Sequence, residues 1–327
     1  MNRAGTQKRL PGVIDTLAAG LELVIRRPAL LVIPSLLDLF YWLGPKLSVL
    51  PLAERLAAAL VAPPGAAPEI VQAVEQSRET LWALGRASNL FSFLSPGLLG
   101  MPSLVIGQPD LASGHTSVIQ VDNGLALLAL GSLLTLLGLL IAAAFLVFVA
   151  RDLRDGPSGS FAGDVVAVWL RFILLVAILI LSAFVFGFPV SVMLGLASLF
   201  SPAAVSFLLT VVFVLLVWLS LYLFFTVDAI VLQCVTPVRA MWYSANVVRH
   251  NFWASLALIV VVNVLNAGLG LVWARISALP GGEFLGIVAN SLVGVALIAA
   301  GLIFYRDRFE RWDASRRANV SSTTALQ

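Results

Sequence analysis

The sequence predicts an all-α integral membrane protein: six transmembrane helices, two interfacial helices on the inner side, and a long outer segment between the first two spans. Three observations predict it. Six apolar runs lie at about 28–49, 124–150, 165–189, 204–232, 252–274 and 284–304. Each reaches the roughly 20 residues that a helix rising 1.5 Å per residue needs to cross a bilayer. Only 11% of residues are charged, against about 25% in an ordinary soluble domain. Runs such as Leu133 to Val149 are apolar on every side, whereas the strands of a transmembrane barrel alternate every second residue. A soluble α/β protein and a β-barrel are both excluded.

The elements follow in chain order. Residues 1–27 form an inner N-terminal region. Its helix, 12–27, carries Ile14, Leu17, Ala18, Leu21 and Val24 on one face, with Asp15, Glu22 and Arg26 away from it. Such a helix lies in the membrane interface. The opening MNRAGTQKRLPG has no short apolar core followed by a small-residue cleavage site, so the first span is expected to remain as an anchor. Residues 28–305 form the membrane domain, and 50–123 its outer segment. There Pro63, Pro64, Gly65 and Pro68 break the chain, and 69–88 reads as an amphipathic helix with Ile70, Val74, Leu81 and Leu84 near one face. From 89 to 123 the chain is rich in Gly, Ser and Pro, with apolar patches FSFL and GLLGMPSLVIG. These are expected to pack on the bundle as a lid or to re-enter the membrane shallowly. The uncharged connection 190–203 fits a tight turn at headgroup level. The second interfacial helix, 237–250, gathers Val238, Met241, Trp242, Ala245 and Val248, with Thr236 as N-cap and Pro237 in the first turn. Residues 306–327 are a basic inner tail, expected to be flexible at its end.

Charge sets the orientation. With the N-terminus inside and six alternating spans, the inner side holds 15 of the 20 basic residues, among them Arg26, Arg27, Arg151, Arg154, Arg171, Arg239, Arg249 and the arginines after 305. The outer side keeps Lys46, Arg55, Arg78, Arg86 and Arg275. This is the positive-inside pattern, and it predicts both termini on the cytoplasmic side. Membrane lipids are therefore the expected partners, with a membrane protein or a second copy of the chain beside them. Nucleic acid is not expected, because the basic residues flank spans.

Several polar residues fall inside the apolar runs. Asp38 lies about 10 residues into the first, roughly 15 Å deep, where an acid costs about 2.5–3.5 kcal/mol unless it faces protein or water. It reads as a relay or cation site, or as a hydrogen-bonded tie between helices. Asp228 lies near the inner end of the fourth run and reads as structural; Arg171 enters the third from the inside and can snorkel, with either acid as a possible partner. Asn263 and Asn266 continue into Ala267, Gly270 and Ala274. Gly282, Gly286, Asn290 and Gly294 repeat every fourth residue, and Gly124, Gly131 and Gly138 every seventh. Small stripes let helix backbones approach, so close packing inside the bundle is expected of them.

The stretch from Asp228 to Leu265 carries a pattern of its own. A span ends, an interfacial helix follows with Ala240, Ser244 and Val248, and Asn251-Phe252 opens the next span. With the entry Arg26-Arg27-Pro28-Ala29-Leu30 through Pro34, it resembles a broad bacterial group of uncharacterised polytopic membrane proteins. That group includes the membrane domain joined to some glycerophosphodiester phosphodiesterases. The resemblance implies a six-helix fold. It implies no hydrolysis, because the catalytic domain is absent, and the basic residues usual in the helix are reduced to Arg239 and Arg249.

No catalytic constellation is found. HExxH, GxSxG, the P-loop and GxGxxG are absent, and the intramembrane acids lack the GxGD pattern. Cys234 is the only cysteine, and His115 and His250 the only histidines, so an intramolecular disulfide and a cysteine- or histidine-rich metal centre are excluded by count. No cofactor is expected. The expected function is that of a non-enzymatic scaffold, envelope-homeostasis factor or accessory subunit. The alternative is a transporter of an ion, lipid or small molecule with a polar midplane site around Asp38, Asn263, Asn266 and Asn290.

Overall fold

The computed structural model describes residues 10–106, 117–154, 159–277 and 279–324. Eleven α-helices follow one another among them: α1 (Val13–Arg26), α2 (Val32–Leu43), α3 (Leu50–Ala59), α4 (Pro68–Ala87), α5 (Gly124–Arg151), α6 (Phe161–Ser198), α7 (Pro202–Leu223), α8 (Thr226–Gln233), α9 (Pro237–His250), α10 (Phe252–Ser277) and α11 (Gly282–Thr324). Two three-residue strands, β1 (Lys46–Ser48) and β2 (Val118–Gln120), pair in parallel. Five helical stretches are long and apolar enough to cross a membrane: α5, α6, α7 continued by α8, α10 and α11. The fold is helical, and five helices of this length and composition are those a multi-pass membrane protein needs.

The sixth expected span is shorter than its apolar run. A 310 turn at Pro28–Leu31 leads into α2, which ends at Leu43. Pro45 disfavours helix at Gly44, and Lys46–Ser48 then pairs with Val118–Gln120. The helical part, Pro28–Leu43, covers about 24 Å, less than the ~30 Å of a hydrocarbon core. The connection after α6 is also shorter than expected: the helix runs through Pro189 to Ser198, and Ser201, whose hydroxyl accepts from Ala204 N at 3.2 Å, already caps α7. The expected tail helps build α11, which stays helical to Thr324; residues 325–327 lie outside the described residues.

The described residues pack as two compact units. One comprises 28–142 and 267–295, the other the chain to Arg27, 143–266 and 296 onward. In the first, α3 packs on α4, where Gly85 meets Ala53. Asn89 ties the strand to the following turn: its Oδ1 accepts from Leu47 N at 3.1 Å and Phe91 N at 3.2 Å. The 310 turns Leu90–Leu94 and Gly97–Leu99 then carry the chain along α5 and α11. A Cβ on Gly138 would overlap Phe93 O and stand 2.9 Å from Leu94 Cα; one on Gly294 would stand 2.8 Å from Pro102 Cγ; one on Gly286 would stand 3.2 Å from Leu104 Cδ2. Gly138 admits the backbone at 93–94 and Gly294 the ring of Pro102, so the neighbour there is the 93–104 segment; Gly286 also admits Ser277 of α10, whose Oγ is 2.5 Å from where its Cβ would stand, beside Leu104.

The second unit is organised by a row of aromatics on α11. Phe304 stacks on Phe225 at 5.4 Å, Tyr305 on Phe309 at 5.6 Å, and Tyr243 of α9 packs on Phe309 and Trp312 at 5.0 and 5.8 Å. Positions 305, 309 and 312 share a helix face by i, i+4, i+7 spacing, so α9 docks along it. The buried face of α9 is Ala240, Tyr243, Ser244, Val247 and Val248; of the face expected to be apolar, Val238 and Trp242 are exposed. α1 is divided in the same way. Thr16, Gly20 and Val24 are buried, while Ile14 and Leu21 are exposed. Gly20 lies against Ala296 O and Ala300 N of α11.

Ser244 holds the break between α7 and α8. Its hydroxyl accepts from Phe225 N at 3.1 Å and donates to Tyr222 O at 2.7 Å. A helix interrupted at 224–225 leaves these two groups without intrahelical partners, and the serine satisfies both. Ser244→Ala strands a buried donor and a buried acceptor, at about 1–3 kcal/mol each. We expect thermal unfolding of the detergent-solubilised protein to fall by several degrees, whereas Ser244→Thr, which keeps the hydroxyl, retains most of the stability.

Candidate functional site

Asp38 is the best-defined polar site, and its partners come from the outer segment. α2 places the carboxylate at zero exposure beside residues 103–106. Oδ1 accepts from the Ser103 hydroxyl, and Oδ2 accepts from Leu104 N at 2.8 Å. Ser103 Oγ in turn accepts from Ile106 N at 3.3 Å. Around this contact Tyr41, Leu104, Val105 and Ile287 form a buried cluster, with Leu37, Leu39, Trp42, Phe91, Leu94 and Trp273 packed against it. A carboxylate at the opening of a turn does what an N-cap does for a helix: it accepts from backbone groups that have no other partner. Both oxygens are engaged in holding the 103–106 backbone. Of the two expectations for Asp38, the geometry is that of the tie, and the tied element is a loop rather than a second helix.

Asp228 and Arg171 lie in the other unit and are not brought together. Asp228 is half-buried on α8, one turn beyond the break, and joins no ion pair; Arg171 is half-buried on α6, with Nη1 buried and without a protein partner. No ion pair among the described residues includes either. The ion pairs of this unit are nearer the helix ends, where Arg27 meets Asp152 at 2.7 Å and Arg154 meets Asp164 at 3.4 Å.

The asparagines do not gather around a common point. Asn263 is exposed and turns back on its own helix, Nδ2 donating to Ile259 O at 2.7 Å. Asn266 is exposed, and a Cβ on Gly268 or Gly270 would meet nothing within 4 Å. Asn263, Asn266, Ala267 and Gly268 lie on the surface, while Gly270 is half-buried. Asn290 is half-buried on α11, between Gly286 and Gly294. His250 belongs to the end of α9, its Nδ1 2.8 Å from Asn246 O, and His115 lies outside the described residues.

Sequence reasoning singled out Asp38 and placed Ser244 in the pattern of 228–265, but missed Ser103 and Leu104 as partners of Asp38 and the part Ser244 plays at the break between α7 and α8. The signal for the first two was the interruption of an apolar patch by Pro102-Ser103. For Ser244 it was a hydroxyl between Ala240 and Val248 on one helix face. Comparison of the chain with protein-family models, with curated proteins and with solved structures finds no match.

Proposed function

We propose that the chain is a non-enzymatic inner-membrane protein that serves as a scaffold or accessory subunit and meets a partner membrane protein through the α6–α7 hairpin. The observation that carries this reading is how little of that hairpin the fold uses. None of the most apolar stretch of α7 is buried within the protein, and almost none of α6, whereas more than half of the corresponding stretches of α5 and α11 is. Phe186, Phe188, Phe207 and Phe213 all point outward. Gly187 and Gly195 leave room for a backbone to approach between such side chains. The burial of Asp38 and the engagement of both its oxygens with the 103–104 segment support the same reading. We further read both termini as cytoplasmic from the arginine bias, and residues 93–104 as a re-entrant segment. Gly294 lies about 18 Å along α11 from its start, and irregular backbone at that depth is tolerated only where protein satisfies it.

The test is native mass spectrometry of the affinity-purified chain in a mild detergent. The expected result is a stoichiometric second membrane protein that is lost from the double variant Phe186→Ala/Phe213→Ala while thermal stability is unchanged. A chain that is recovered alone, and whose Asp38→Asn variant unfolds normally but loses an ion-dependent flux in liposomes, would falsify the reading in favour of transport.

A further inference from the structure

Three apolar stretches of one unit end together. α5 ends at Arg151, α8 at Gln233, and α11 leaves its apolar stretch at Arg306. At those ends lies a cavity of about 570 Å³, walled by Arg154, Arg306 and Arg317 with Gln233, Leu232 and Phe309. Its size falls within the roughly 300–1,000 Å³ of small-molecule sites.

The guanidiniums are fixed before any ligand arrives. Arg154 Nη2 donates to Val231 O, and Arg306 Nη1 donates to Leu153 O at 3.2 Å. Both carbonyls belong to chain ends that carry the negative pole of a helix, so the arginines complete α8 and the turn after α5. Arg154 Nε is buried and has no protein partner. The carboxylates nearby are too few to neutralise the cations. Asp164 is shared between Arg151 at 3.6 Å and Arg154 at 3.4 Å, Asp313 between Arg316 at 3.6 Å and Arg317, and Arg306 pairs with Asp307 at 3.0 Å. With Glu310, four acids for five guanidiniums leave one positive charge over.

Fixed donors with an excess of positive charge, set beside Leu232 and Phe309, suit an oxyanion attached to an apolar body. Planar guanidiniums bind phosphate oxygens in pairs, which an ammonium does not do. We propose that this cavity binds a phosphate group, borne by the headgroup of an anionic glycerophospholipid or free in solution, with Arg154, Arg306 and Arg317 as its donors. Glu310 and Asp313 also line the cavity. Their charge opposes a second negative charge on the ligand, so a singly charged phosphodiester is favoured over a doubly charged monoester.

The test uses the full chain in detergent, titrated with phosphatidylglycerol and read by native mass spectrometry. Arg317→Gln removes a donor whose side chain is 80% exposed, so the fold does not depend on it. Ala314→Trp fills the cavity that Ala314 lines without changing charge. Arg249→Gln removes the same charge from an exposed position at the end of α9. The expected result is about tenfold weaker lipid retention in Arg317→Gln and Ala314→Trp, with Arg249→Gln unchanged. Displacement of the lipid by inorganic phosphate at millimolar concentration assigns the site to the free anion, and resistance to it assigns the site to the lipid. Equal retention by all four proteins overturns the proposal, as does an equal loss in Arg249→Gln and Arg317→Gln.

Discussion

Gly138→Leu unseats the outer segment. The position allows no side chain, because a Cβ would overlap the Phe93 carbonyl and press on Leu94 Cα, and both atoms are backbone. Nothing flexible is at hand to give way. The substitution must move α5 away from the 93–94 turn or drive the turn out. Overpacking of a well-filled site costs about 1–3 kcal/mol for modest insertions. Here the displaced segment also carries Leu104 and Val105 out of their cluster with Tyr41 and Ile287. We therefore expect a loss of more than about 3 kcal/mol, read as a large fall in thermal unfolding temperature and as rapid hydrogen exchange from 90 to 106. Gly294→Val, which meets Pro102, is expected to share the phenotype. Gly268→Ala is the contrast, since nothing lies within 4 Å of the new atom. It exchanges glycine for a better helix former and should be neutral or slightly stabilising. If Gly138→Leu and Gly268→Ala behave alike, glycine spacing alone explains neither, and the packing of the 93–104 segment on α5 is wrong.

The contrast between those glycines also explains what the sequence made legible. Long apolar runs mark the helices that can cross a membrane, because length and composition are local, and five were found by that rule alone. The first run misled because its end depends on Val118–Gln120, some 70 residues away, to which Lys46–Ser48 pairs. Which residues of α1 and α9 are buried was not legible for a different reason. In a water-soluble protein the apolar face of a helix turns inward. In a chain surrounded by lipid tails, apolarity does not distinguish protein from solvent, and size does so better. Gly20 and Thr16 face α11 while Ile14 faces outward; Ala240 and Ser244 are buried while Val238 is exposed. Small residues four apart, rather than the more apolar side of each helix, mark both buried faces correctly. Even that rule does not say what the small face meets. The stripe with Asn263, Asn266 and Gly270 resembles the stripe with Gly286, Asn290 and Gly294 in its residue types, yet a Cβ on Gly270 would meet nothing within 4 Å, whereas Gly286 and Gly294 lie against Leu104 and Pro102. Asp38 was legible as a buried acid needing a partner, and its partner was not, because a loop residue such as Ser103 carries no periodicity to reveal it.

Asp38→Leu is expected to loosen the same segment from the other side, and its comparison with Asp38→Asn separates structure from transport. Leucine removes the acceptor for two donors, the Ser103 hydroxyl and Leu104 N, in a site with no exposure. Each stranded donor costs about 1–3 kcal/mol, so the variant should lose roughly 2–5 kcal/mol and the 102–106 amides should lose their protection from exchange. Asparagine keeps one acceptor oxygen for Leu104 N. The Ser103 hydroxyl can then rotate to accept from the new amide, because a hydroxyl donates and accepts from one atom. Asp38→Asn should therefore recover most of the stability, within about 1–2 kcal/mol of the parent. A charged relay has the opposite signature, since asparagine preserves shape and abolishes proton or cation binding. The decisive measurement is thermal unfolding of the two variants alongside hydrogen exchange at Leu104. If Asp38→Leu melts with the parent and Leu104 stays protected, the carboxylate does not hold the segment, and the reading of this site as a tie fails.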